Sequence, residues 1–95
     1  MAVGDAVSDI QSIAAGAFLA MQPAAGVEWI IHNVNHEFDA ELYFYDGTNS
    51  LLVDGDLGAG GWLKQALHCT NGKYYRVKNT NTAAKLLSYD GIQSK

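Results

Sequence analysis

Ala40-Glu41-Leu42-Tyr43-Phe44-Tyr45, then Asp46-Gly47-Thr48-Asn49, then Ser50-Leu51-Leu52-Val53: the fold class turns on how this stretch is read. Leu42 and Phe44 alternate with Glu41, Tyr43 and Tyr45, which is the two-residue period of a strand with unlike faces. Asp46-Gly47 is a strong hairpin signal, because such a turn needs residues that accept positive φ cheaply. The run 50–53 is the returning strand.

Upstream, residues 27–37 read as another strand, rich in Val, Ile and Trp. Its centre is apolar on both faces, as in a sandwich interior or a subunit contact. Pro23-Ala24-Ala25-Gly26 is the turn before it, and residues 17–22 are a strand before that. Residues 1–12 are small and weakly polar and read as an extended arm. Val7, Ile10, Ile13 and Ala14 would also suit one face of a short helix.

Downstream, the Gly-rich residues 54–61 read as a loop, and residues 62–69 as a buried strand. Asn71-Gly72 predicts a hairpin joining that strand to residues 73–79. Residues 80–82 turn the chain again, residues 83–89 form the last long strand, and Gly91-Ile92-Gln93 adds a short edge pairing. Roughly seven or eight strands result, at the 8–12-residue turn spacing of all-β sandwiches and barrels. The expected architecture is an all-β antiparallel β-sandwich, jelly-roll-like, over residues 13–95, with an N-terminal arm over 1–12.

Ninety-five residues make one domain. All six basic residues stand at or after Lys64, and nine of the ten acidic ones at or before Asp56. The Lys73–Lys78 strip is the one feature that fits nucleic acid, but the net charge of −4 opposes a polyanion. Pairing of basic with acidic segments, within the chain or between subunits, explains the split better. No segment has the roughly twenty apolar residues of a membrane span. Cys69 is the lone cysteine, so no intrachain disulfide forms, as suits a reducing cytoplasm. It reads as a small buried hydrophobe.

Four constellations bear on chemistry. His32 and His36 would share a face on a helix, but on a strand they stand about 13 Å apart, too far for one ion. Asp54-Gly55-Asp56 opens like a calcium loop, yet Gly58 and Gln65 occupy places where that loop needs oxygen ligands. Glu28, Glu37, Asp39 and Glu41 lack the long loops that would wall a glycosidase cleft. No catalytic residue, metal site or cofactor is therefore expected, and the chain does not read as an enzyme. The fourth set is aromatic: Tyr43, Tyr45, Trp62, Tyr74 and Tyr75, with Arg76 beside them. Such residues on strands serve core, subunit interface or sugar stacking. Tyr43, Tyr45, Trp62, Tyr74 and Arg76 are the candidate contact residues, for a subunit interface or a glycan.

The segment Gln22-Pro23-Ala24-Ala25-Gly26-Val27-Glu28-Trp29-Ile30-Ile31-His32-Asn33 resembles one found in short phage virion proteins, where a Pro–Gly turn leads into a Trp-containing strand. Tyr45-Asp46-Gly47-Thr48-Asn49, Arg76-Val77-Lys78-Asn79-Thr80 and Tyr89-Asp90-Gly91 extend the likeness. The family so resembled is the small capsid decoration, or cement, proteins of tailed bacteriophages. The resemblance implies a β-rich, disulfide-free structural virion protein, commonly a homotrimer. Such a protein sits on the capsid exterior after assembly in the host cytoplasm and bridges major capsid protein subunits. It implies no catalytic residue and no direct contact with nucleic acid or membrane. A carbohydrate-binding module or small tail-associated adhesin, using Tyr43, Tyr45 or Trp62, is the competing expectation.

Overall fold

The computed structural model describes residues 2–95. Nine strands and no helix make up the regular structure among these residues. They are β1 (Ala6–Ile13), β2 (Phe18–Ala20), β3 (Trp29–His36), β4 (Ala40–Tyr45), β5 (Ser50–Asp56), β6 (Gly60–Trp62), β7 (Leu67–Cys69), β8 (Tyr74–Asn79) and β9 (Lys85–Gln93). Two antiparallel sheets pack face to face. The first runs β1-β9-β3-β6, with β7 also on β3, and the second runs β2-β8-β4-β5. We call these the β3 sheet and the β4 sheet.

The short strands β6 and β7 lie end to end along β3. β6 pairs with Val34–His36 and β7 with Trp29–Ile31. Between them Lys64 adopts a positive φ of 58°, and Gln65 N–H donates to the His32 carbonyl at 2.8 Å. Counted as one interrupted strand, they complete four nested pairs: β1·β9, β2·β8, β3·(β6+β7) and β4·β5. Alternate pairs fall in alternate sheets, as when one long hairpin is rolled up. That is jelly-roll topology, so the expected sandwich is present in its jelly-roll form.

The core follows from alternation. Leu42 and Ala40 on β4, Val77 on β8 and Leu19 on β2 point inward from one sheet. Leu87 and Tyr89 on β9, Val7 and Ile13 on β1, and Leu67 and Cys69 on β7 point inward from the other. β3 carries a bulge between Ile31 and Asn33 that takes up one residue and turns both Ile31 and Val34 into the core. This explains a strand that reads as apolar on both faces. Each fully buried Ile, Leu or Met stabilises the fold by about 1.5–3 kcal/mol relative to exposure.

Several sequence expectations give way here. Residues 6–12 of the expected arm belong to β1, which pairs along its whole length with β9 and buries Val7 and Ile13. Alternation in Val7-Ser8-Asp9-Ile10 is blurred by exposed Ile10, which hid the strand. Residue 1 of that arm lies outside the described residues. The Asn71-Gly72 turn exists, with Thr70 N–H donating to the Lys73 carbonyl at 2.7 Å. It makes no hairpin, because β7 pairs with β3 and β8 with β2 and β4, so the turn crosses between sheets. Residues 91–93 belong to β9, the strand between β1 and β3, rather than to an edge. The loop expected over 54–61 is shorter: β5 runs on to Asp56, and β6 begins at Gly60.

Candidate functional site

Side chains that alternate with the buried set on the β4 sheet form its outer face. Register places Phe18, Lys78, Glu41 and Gly55 at one level across the four strands. Ala20, Arg76, Tyr43 and Leu52 form the next level, and Tyr74, Tyr45 and Ser50 the third. Three aromatic rings on two central strands, flanked by Phe18 and Leu52, thus share one surface.

Arg76 sits at the centre of this face. Its guanidinium carbon lies 3.9 Å from the Phe18 ring centroid and 3.8 Å from that of Tyr45. A planar cation held against two rings gains from both quadrupoles and keeps its rotamer fixed. Its Nη2 donates to Ser50 Oγ at 3.2 Å, while Nε is buried and makes no hydrogen bond. Of the five N–H donors of a guanidinium, one is thus committed inside the chain. Tyr43 meets Phe18 edge to face at 5.5 Å, and Tyr45 meets Tyr74 the same way at 5.7 Å. The Tyr43 hydroxyl donates to Glu41 Oε1 at 2.6 Å, and this hydrogen bond, by favouring the protonated phenol, raises the tyrosine above its ordinary value. The Tyr45 hydroxyl donates to the Gly47 carbonyl at 3.0 Å. Gly47 holds φ at 95°, the positive value the hairpin turn requires.

Of the residues singled out from sequence, Tyr43, Tyr45, Tyr74 and Arg76 share this face. Trp62 does not. It stands on β6 in the other sheet, where its indole N–H donates to Asp54 Oδ2 at 2.7 Å and its ring packs on His36 at 5.1 Å. Phe18, one wall of the Arg76 clamp, carries no signal of that role in the sequence. Residues 17–22 read as a strand, but nothing in the sequence says that β2 lies beside β8.

The histidines are apart and engaged. His36 has a fully buried side chain between the Phe38 carbonyl at Nδ1 (2.8 Å) and Asp56 Oδ2 at Nε2 (3.0 Å). His68 Nε2 lies 2.7 Å from Glu28 Oε1, and this contact holds the Glu28 carboxyl below its usual range. His32 Nδ1 lies 2.8 Å from the Gln65 carbonyl. Among the described residues no three His, Cys, Asp or Glu side chains gather as a metal site would require. Burial pushes the Cys69 thiol up to about 11, which leaves it protonated and a poor nucleophile. Surface depressions, such as that between Ser8, Ile10 and Tyr89, are shallow and open.

No protein-family model matches the chain, and no curated protein matches it. The class of the molecule therefore rests on its fold and its surface: a small jelly roll with an aromatic, arginine-centred sheet face.

Proposed function

We propose that the chain is a structural virion protein that decorates a tailed-phage capsid and stabilises it by bridging major capsid protein subunits. Docking is through the outer face of the β4 sheet. The single observation that carries this reading is the fixed Arg76, held between Phe18 and Tyr45 on an open face. Tyrosine and arginine are the residues most enriched where protein interfaces concentrate their binding energy, and a pre-ordered side chain loses little entropy on docking. A flat face on a two-layer sandwich fits a broad protein surface better than a small molecule, which needs concavity. The link to capsids comes from the likeness of residues 22–33 and the later turn motifs to decoration proteins. Repetition over a symmetric lattice lets many modest contacts give firm attachment.

The ring geometry weighs against the sugar-stacking alternative. Tyr43 and Tyr45 are turned edge to face with their neighbours, and both hydroxyls are engaged within the chain. The test is cosedimentation of the purified chain with heads of the corresponding phage lacking it. Wild type should saturate a fixed number of sites per head, and Arg76→Ala should bind at least tenfold more weakly. Unchanged binding by Arg76→Ala would sink the docking face. Glycan-array binding lost on Tyr45→Ala, with no head binding, would support the adhesin reading instead.

A further inference from the structure

The β4 sheet ends in two edges, β2 and β5, and on β5 the bulge and the inward Asp54 guard only the half beyond Leu52. β5 carries Leu51, Leu52 and Val53 at 65%, 51% and 48% exposure, with neither a charge nor a proline from Ser50 to Val53. Free sheet edges are normally blunted by lysine, proline or inward charge, because their unpaired N–H and C=O groups template another strand. The opposite edge, β2, pairs with β8 alone. It lies in residues 11–27, which hold no charged side chain at all.

We propose that β5 of one copy pairs with β2 of the next, so that the β4 sheet continues from subunit to subunit. Every neighbouring pair in this sheet is antiparallel, so across four strands β2 and β5 run in opposite directions. A second copy, rotated about an axis along the strands, brings its β2 antiparallel to β5 and keeps both core faces on the same side. Carrying the register levels across the junction sets Phe18 beside Gly55 and Ala20 beside Leu52. The large Leu52 then meets the small Ala20.

Self-pairing of β5 about a two-fold axis fits less well. The bulge on β5 places Leu52 opposite Tyr43 and Asp54 opposite Leu42, so Ser50 and Leu52 face outward while Asp54 faces inward to Trp62. A two-fold pair centred on Leu52 would set outward Ser50 against inward Asp54. β2 avoids this conflict, because Leu19 alone would stand opposite Val53 and Asp54, as β4 already manages. An interface between unlike edges closes into a ring or runs on as a filament. This inference does not depend on the capsid reading.

Light scattering after size exclusion tests it, using wild type, Leu52→Lys and Ala20→Lys. Wild type should have a mass of two or more times the 10.2 kDa chain. Each variant alone should be a monomer with an unchanged circular dichroism spectrum. Leu52→Lys keeps an intact β2 edge and Ala20→Lys an intact β5 edge, so a mixture should form a one-to-one pair of twice the chain mass. A wild-type monomer at every concentration overturns the proposal. So does an Ala20→Lys variant that associates like wild type, which is the two-fold outcome, or a mixture that stays monomeric. Should either variant fail to fold, amide exchange in wild type decides. Exchange in residues 50–56 and 18–20 should slow together as concentration rises, and slowing in 50–56 alone would overturn the pairing.

Discussion

Asn79 shows what single residues contribute. Its side chain is fully buried, with Nδ2 donating to the carbonyls of Ile13 and Ala83 and Oδ1 accepting from the backbone and side-chain amides of Asn81. One amide thereby joins the end of β1, the end of β8 and the crossing to β9. Asn79→Leu leaves those carbonyls unpartnered and should destabilise the fold by about 2–4 kcal/mol, read as a lower urea midpoint. Asn79 lies in a stretch legible from sequence as a strand, but nothing distinguishes it there from a surface asparagine. Cys69 was legible as a buried hydrophobe and is completely buried. Its raised thiol makes a second prediction. The folded chain should resist alkylation at pH 8 and react only as fast as it opens, while urea restores full reactivity. Rapid labelling of the native chain would contradict the burial. By the sign of the shift, this thiol favours the folded state below the unfolded thiol's value and withdraws that support as pH rises above it.

Elements were legible where alternation and turn chemistry agreed. β4 and the 46–49 turn fall where the sequence places them, because Leu42, Phe44 and Gly47 leave few alternatives. Asp46 accepts backbone N–H bonds from Asn49 at 2.6 Å and Thr48 at 2.9 Å, and these hold its carboxyl below the ordinary range. Folding is therefore favoured above the unfolded carboxylate value, and the contribution is lost as pH falls through the lowered one. The stability difference between wild type and Asp46→Ala should shrink on acidification, as followed by urea titration at several pH values. Elements were illegible where tertiary contact decides. A Cβ at Gly91 would come within 2.7 Å of Ile31 Cα and would strike the Ile30 carbonyl oxygen. The bulge on β3 presses on β9 there, so Gly91→Ala should cost several kcal/mol, of the order seen for overpacking. Its thermal midpoint would then fall well below that of wild type. Sequence places Gly91 in a short edge pairing and gives no sign of this close contact.

At the scale of the molecule, the two-sheet class follows from strand count and spacing, whereas the partner of each strand does not. The 70–73 turn looks the same whether it joins paired strands or crosses between sheets. β1 is part of the sandwich and not an arm beside it. Without β1, β9 would lose one of its two neighbours, and the core would lose Val7 and Ile13. Deleting residues 2–12 should therefore unfold or grossly destabilise the chain, rather than merely weaken its attachment to a particle. A truncated chain with a wild-type melting curve would show β1 to be dispensable. The candidate face was half legible: Tyr43, Tyr45, Tyr74 and Arg76 lie in strands readable from sequence, but their meeting with Phe18 depends on β2 lying beside β8.

A reconstruction of phage heads saturated with the purified chain would show which face of the molecule meets the capsid. Docking through the β4 sheet predicts density outside the capsid lattice, bridging neighbouring major capsid subunits, with Arg76, Tyr45 and Phe18 against the capsid surface. Density with that face turned to solvent, or confined to the tail, would contradict it.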